Sequence, residues 1–278
     1  MLISVASGKG GTGKTTVATN LAYSLGSRAV ILDCDVEEPN AHLFLHPDMD
    51  TTEQVWAQVP EVNQDACTLC RKCVDICRFR ALVVAGKSLL VFPELCHSCG
   101  GCFEVCPENA LNEGRRELGQ IETGHSHGLE CVTGCLRVGE AMSPPLIRKV
   151  RAHVRPDKIN IIDAPPGTSC PVIAAMKGTD FVLMVTEPTP FGLHDLILAV
   201  EAVKVLGLPH GLVINRSDMG DEKVRDYAQK ENIPILMEIP YDRAIAESYS
   251  KGKLIAEMWP EWTDIFQELF QKIQSCLA

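Results

Sequence analysis

The sequence predicts an α/β fold: a mostly parallel sheet with helices on both faces, interrupted by a small inserted α+β module. Three observations carry this. Short, near-continuous apolar runs such as Phe181-Val-Leu-Met-Val185 alternate with amphipathic stretches, the pattern of strands buried on both faces. The first such run ends in a glycine-rich loop that leads into helical periodicity. Eight of the thirteen cysteines fall between Cys67 and Cys106, and amphipathic periodicity is lost there.

Taken in order, Leu2-Ile-Ser-Val-Ala6 is a strand, and Val17, Leu21 and Leu25 recur at helical spacing until Gly26 stops the helix. Ala29-Val-Ile-Leu32 is a second strand, ending at Asp33, and the pattern is weak from there to about residue 60. Residues 61–115 form the inserted module, with apolar patches at Ala81–Val84 and Leu89–Phe92. Further strands are expected at Ile159–Ile162, Phe181–Val185, Gly211–Ile214 and Ile235–Ile239, with helices near Leu193–Leu206 and Glu222–Glu231. The larger domain is therefore read as 1–60 joined to 116–278.

Composition narrows the function. The 278 residues, 46% hydrophobic and 22% charged, are ordinary for a globular protein. No apolar run approaches the roughly 20 residues of a membrane span, and the N-terminus lacks the features of a signal peptide. A net charge of −10 argues against broad binding to nucleic acid. With no secretion signal, the dense cysteines read as metal ligands in a reducing cytoplasm rather than as disulfides.

Gly8-Lys9-Gly10-Gly11-Thr12-Gly13-Lys14-Thr15 fits a P-loop, followed by Thr16 and placed between strand and helix. Its glycines let backbone N–H groups converge on a polyphosphate at a helix N-terminus. Lys14 would meet the β and γ charges of ATP, and Thr15 would offer its hydroxyl to Mg²⁺. The larger domain is thus a P-loop NTPase binding Mg-ATP or ADP.

Cys67-x-x-Cys70-x-x-Cys73-x-x-x-Cys77 and Cys96-x-x-Cys99-x-x-Cys102-x-x-x-Cys106 repeat one spacing twice. It is the spacing of two-cluster ferredoxins, in which the fourth cysteine ligates the other cluster. Cys67, Cys70, Cys73 and Cys106 are expected to hold one [4Fe–4S] cluster, and Cys96, Cys99, Cys102 and Cys77 the other. Cys77 departs from the pattern, being followed by Arg78 instead of proline. Zinc is the competing reading, but zinc knuckles pair Cys-x-x-Cys across a longer spacer.

Lys9-Gly10-Gly11-Thr12-Gly13-Lys14-Thr15 also resembles the deviant P-loop of the superfamily of MinD, ParA, Mrp and the nitrogenase iron protein. Leu32-Asp33-Cys34-Asp35 resembles its switch I, and Ile161-Ile162-Asp163-Ala164-Pro165-Pro166-Gly167 its second acidic motif and switch II. The resemblance implies a nucleotide-sandwich dimer, homodimeric or formed with a related ATPase, in which Lys9 crosses to the partner's site. It further implies that Lys9, Lys14 and Asp35 are catalytic, Asp35 orienting the attacking water. Asp163 would hold Mg²⁺ through water, Asp33 would assist at the metal, and the Gly167 N–H would sense the γ-phosphate. Asn215 would read the adenine edge, with Pro240 and Asp242 flanking the base. Together with the cysteine insert, the whole chain resembles MinD-superfamily ATPases carrying an inserted ferredoxin domain.

Cys170 follows Asp163 by seven residues and Cys135 precedes Cys170 by 35, spacings similar to those of two nitrogenase iron protein cysteines. The resemblance implies a third [4Fe–4S] cluster shared across a dimer. The residues themselves read equally as free thiols or as a local Cys131/Cys135 pair. Cys34 and Cys276 are read as packing residues, and His125-Ser-His127 as a mobile loop without a role. The C-terminal stripe Trp262, Ile265, Phe266, Leu269, Phe270 and Ile273 is read as core, its polar face lacking the cationic character of a membrane-surface helix. Two functions follow: an ATPase coupling nucleotide-driven dimer switching to electron transfer, or an iron–sulfur cluster carrier of the Mrp type. Either needs a redox or iron–sulfur client protein, and neither needs nucleic acid or stable membrane insertion.

Overall fold

A computed structural model describes residues 1–277. Its eleven strands are β1 (Leu2–Ala6), β2 (Ala29–Asp33), β3 (Asp48–Val62), β4 (Leu82–Ala85), β5 (Ser88–Val91), β6 (Leu111–Ser126), β7 (Leu129–Leu136), β8 (Ile159–Asp163), β9 (Phe181–Thr186), β10 (His210–Asn215) and β11 (Ile235–Ile239). Nine of them are hydrogen-bonded in the order β11-β10-β9-β1-β8-β2-β7-β6-β3, and β4 and β5 form a separate antiparallel pair. Pairing from β11 through to β7 is parallel throughout. The expected fold class, α/β with a mostly parallel sheet, is the one observed.

Residues cluster into two compact units: Met1–Glu53 with Ile121–Cys135 and Ile147 onward, and Gln54–Gln120 with Leu136–Leu146. The second extends beyond residues 61–115 on both sides.

In the first unit the central strands are buried on both faces, as their apolar runs require: every residue of β2 and β9 is buried. The helix Lys14–Leu25 starts after Gly13 and stops at Gly26, whose N–H reaches the carbonyls of Ala22 and Tyr23. It buries Val17, Ala18, Leu21 and Ala22 against the helix Glu261–Ser275, which contributes Phe266, Leu269, Phe270 and Ile273. At about 1.5–3 kcal/mol for each fully buried large apolar side chain, this pairing anchors the segment just behind the glycine-rich loop. The C-terminal stripe is therefore core, although Ile265 remains 37% exposed. Among the described residues no helix is long and apolar enough to cross a membrane.

Three expectations are corrected here. The weak stretch before residue 60 contains the long strand β3, and β6 and β7 are further strands that were not anticipated. His125 and Ser126 belong to β6 rather than to a loop, and His127 with Gly128 forms the tight turn to β7. Both turn residues have positive φ, 51° and 77°, as a two-residue hairpin of right-handed twist demands. His125 pairs with Asp50 at 2.7 Å, and the His127 ring packs edge-on to Tyr23. Cys276 is exposed rather than a core packing residue, whereas Cys34 is fully buried.

The second unit has a small core of Cys73, Leu82, Leu89, Cys102 and Leu111. Its helices are short, Lys72–Ile76 and Gly101–Glu104. Arg116, nearly buried, pairs with the buried Glu140 and donates to the Cys96 carbonyl at 3.4 Å. Arg137 binds Glu94 at 3.1 Å in the same network.

Candidate functional site

The first unit carries a cleft of about 420 Å³ at the C-terminal ends of the parallel strands, where β1 is flanked by β8 on one side and β9 on the other. Such a switch point is where open α/β sheets bind ligands. Gly10, Gly11, Gly13, Lys14, Thr15, Thr16, Asp35, Asn215, Pro240 and Asp242 line the cleft. Ser7, Glu38, Asn40, Arg216, Tyr241 and Tyr249 line it too and were not anticipated. Tyr241 carried a signal, since it stands between two residues that were singled out.

Parallel register explains the electrostatics. Asp33 on β2 is directly opposite Asp163 on β8, so two carboxylates share one buried position. Lys14 Nζ stands 2.6 Å from Asp163 Oδ1 and 3.5 Å from Asp35 Oδ2. Thr15 Oγ1 donates to Asp163 Oδ2 at 2.6 Å. Burial works against the charge on Lys14, but Asp163 and Asp35 hold its pKa above the ordinary value. Burial, with Asp163 adding repulsion, pushes Asp33 up to about 7. Asp35 is raised to about 6, again chiefly by burial, against the opposing pull of Lys14. A divalent cation here would relieve this crowding of negative charge.

Asp33 also organises the loop after it. Its carboxylate accepts the backbone N–H groups of Asp35 at 3.1 Å and of Asn40 and Ala41 at 3.0 Å. Asn215 donates from Nδ2 to the Thr12 carbonyl at 2.9 Å, and its Oδ1 accepts from the Arg216 N–H. In this arrangement it braces the glycine-rich loop from below. Gly13, at φ 94°, has no alternative: a Cβ there would collide with that Asn215 amide. Asp242 caps the helix Arg243–Ser250 by accepting from Ala244 N at 2.7 Å. Gly8, Lys9, Thr12, Asp33, Asp163 and Gly167 do not line the cleft; Thr12, Asp33 and Asp163 are buried, and the other three half-buried. The Gly167 N–H donates to the Ser7 carbonyl at 2.9 Å, and the Lys9 carbonyl accepts from Ser7 Oγ.

The second unit holds two cavities. One is lined by Cys67, Cys70, Cys73 and Cys106, the other by Cys77, Cys96, Cys99 and Cys102. Each cavity thus draws three cysteines from one copy of the repeat and the fourth from the other copy. The backbone repeats as well, at an offset of 29 residues. Leu69 and Ser98, Arg71 and Gly100, and Arg80 and Asn109 all adopt positive φ, which bends each loop round its cavity. The Cys77 and Cys106 sulfurs accept N–H bonds from Ala81 at 3.3 Å and Ala110 at 3.2 Å. Burial raises the thiol pKa of Cys73 and pushes Cys102 up to about 11, with the neighbouring cysteines of the same cavity adding to both.

Among the described residues, no group of three or more His, Cys, Asp or Glu is drawn together to hold a single metal ion. An iron–sulfur cubane makes a different demand, because its irons sit at separate corners and its cysteines surround it. Four cysteines round an apolar cavity, the crossing fourth one in each case accepting a backbone N–H, fit that donor set.

The remaining cysteines are all unbridged. Cys131 and Cys135 lie four residues apart on β7, about 13 Å along an extended strand, so a local pair is ruled out. Cys135 is half-buried, and burial raises its thiol pKa. Cys170 is exposed at the start of the helix Cys170–Met176.

Comparison with known proteins bears on the nucleotide-binding family and on the fold. The family model for the CobQ/CobB/MinD/ParA nucleotide binding domain matches residues 3–255. An uncharacterised protein of Methanocaldococcus jannaschii is 32% identical, over 99% of this chain and 96% of its own length. The iron-sulfur cluster carrier protein of Pyrococcus horikoshii is 26% identical, over 90% of this chain and 77% of its own. In fold, the chain is similar to the cell division ATPase MinD of Pyrococcus furiosus, with a TM-score of 0.61 and 23% identity, covering 99% of this chain and 98% of that one.

Proposed function

This chain belongs to the CobQ/CobB/MinD/ParA nucleotide-binding family, and on that premise we propose that it is an ATP-hydrolysing electron-transfer protein with two [4Fe–4S] clusters. The observation that carries the reading is the exchange of the fourth cysteine between the two cavities. Cys67, Cys70, Cys73 and Cys106 would hold one cluster, and Cys77, Cys96, Cys99 and Cys102 the other. When bound, such a pair supplies one-electron storage and relay.

On the nucleotide side the residues act as follows. The N–H groups of the glycine-rich loop and the helix N-terminus take the polyphosphate. Lys14, held by two carboxylates, would serve the phosphates, leaving Asp163 to hold Mg²⁺ through water and Asp35 to orient a hydrolytic water. Thr15, whose hydroxyl donates to Asp163, would offer its oxygen lone pair to Mg²⁺. Asp33 supports the loop that carries Asp35. Pro240, Tyr241 and Asp242 border the base, and Asn215 fixes the loop beneath it. Lys9 is half-buried and is not among the residues lining its own cleft; its proposed role is in the site of a partner subunit.

Iron and acid-labile sulfide assays on anaerobic protein, with EPR before and after Mg·ATP, test this reading. About eight irons per chain and an ATP-dependent change in the signal are expected. Zinc in place of iron, or no retention of adenine nucleotide, would sink it. The second reading, a cluster carrier, is favoured by the printed name of the Pyrococcus horikoshii relative. Incubation with an apo-ferredoxin separates the two, since the electron-transfer reading expects both clusters to be retained. About ten irons per chain would indicate a third cluster at Cys135 and Cys170.

A further inference from the structure

The segment Arg71-Lys-Cys-Val-Asp-Ile-Cys-Arg-Phe-Arg80 carries four cations, Arg71, Lys72, Arg78 and Arg80, against the single carboxylate of Asp75, in a chain of net charge −10. All four are exposed, and among the described residues none forms an ion pair. Other exposed cations, Lys87, Arg115 and Lys177 among them, also lack an ion pair among the described residues, whereas Arg137, Arg155, Lys204, Arg225 and Arg243 each stand within 3.1 Å of a carboxylate. What sets the segment apart is four unpaired cations within ten residues.

The duplication supplies an internal control. Twenty-nine residues on, the second loop adopts the same positive φ at Gly100 and Asn109 as the first does at Arg71 and Arg80. Yet Cys96–Asn109 contains no Lys or Arg and carries Glu104 and Glu108. Neither the fold of the loop nor its cavity therefore requires the cations. Beside them, Ile76 and Phe79 are 44% and 41% exposed. Phe79 stacks on His97 with ring centroids 3.4 Å apart, and both rings line the cavity of Cys77, Cys96, Cys99 and Cys102.

We propose that this segment is the docking surface for an acidic one-electron carrier protein, its exposed cations Arg71, Lys72, Arg78 and Arg80 interspersed with the exposed apolar side chains of Ile76 and Phe79. The inference rests on the reading that the cavities hold iron–sulfur clusters. Charge complementarity selects the partner: unpaired cations interspersed with exposed apolar side chains suit a small, transient redox interface in which electrostatics sets the encounter rate. The exchange is of a single electron. The carrier is oxidised by one equivalent, the module is reduced by one, and no bond is made or broken.

The test is stopped-flow reduction of the full-length, iron-loaded chain by a reduced acidic [2Fe–2S] ferredoxin, alongside reduction by methyl viologen radical. The variant replaces Arg71→Asn, Lys72→Gln, Arg78→Gln and Arg80→Asn, with asparagine at the two positive-φ positions as in the second loop at Asn109. Reduction by the ferredoxin is expected to slow roughly tenfold or more in the variant, or in wild type when the salt is raised from about 20 mM to about 500 mM. Reduction by the cationic viologen should not slow, and the iron content should stay unchanged. An iron-loaded variant that accepts electrons from the ferredoxin as fast as wild type at low salt overturns the docking surface while leaving the cluster reading intact. So does wild type whose four cations bind a single-stranded oligonucleotide or anionic vesicles and leave ferredoxin reduction independent of salt. A chain that takes up no iron overturns both.

Discussion

Gly13 shows how tightly a single position can be specified. It occupies the left-handed region at φ 94° and lies against the Asn215 amide that binds the Thr12 carbonyl. Gly13→Ala should cost about 1–3 kcal/mol from strain and overpacking and lower nucleotide affinity at least tenfold, read by calorimetric titration with Mg·ADP. Glu130 is a second case. Burial works to raise its pKa, but Arg155, at 2.7 Å, and Lys158 outweigh this and hold the carboxyl below its ordinary 4.5. A lowered folded-state pKa adds stability that is present above the unfolded value and lost as pH falls through the folded one. Glu130→Gln should therefore lose roughly 1–2 kcal/mol near neutral pH and flatten the acid limb below about pH 4.5, measured by urea unfolding at several pH values.

Elements differed in how openly the sequence declared them. β1, β2, β8, β9 and β10 are short apolar runs buried on both sides, so composition alone marks them. β3 is hidden because its first seven residues are all exposed, and alternation begins only with the buried Val55, Ala57 and Val59. β6 is hidden because its inward positions include Gly114 and Arg116 among the apolar ones. At the site, Lys14, Thr15 and Asp163 were legible because phosphate and metal chemistry demands those side chains at those strand ends. Tyr241, Tyr249 and Arg216 were not, because a wall of the cleft can be built from many residue types. The two cysteine loops were legible as a repeat whose spacing, being that of two-cluster ferredoxins, led to an expected exchange of fourth members, and the two cavities group the cysteines in that way. That exchange makes a pairwise prediction. Cys67→Ser with Cys106→Ser should remove one cluster and leave about four irons, whereas Cys67→Ser with Cys77→Ser should disable both, read by iron and sulfide assay.

For the molecule as a whole, nucleotide binding and folding are linked. Mg·ATP at a hundred times its dissociation constant should stabilise the chain by about 2.7 kcal/mol, seen as a raised midpoint of thermal unfolding. Lys14→Met should abolish that shift, because the methyl thioether cannot replace the ammonium between the phosphates and Asp163. The linkage also has a local face at Asp33, which is fully buried opposite Asp163 and accepts three N–H groups from residues 35, 40 and 41. Any event that alters the charge on this one carboxyl group changes its grip on those amides. The stretch from Cys34 to Ala41 would then stiffen or slacken with the ionic contents of the cleft, and the chain would register an arriving cation as a change in the posture of its own backbone.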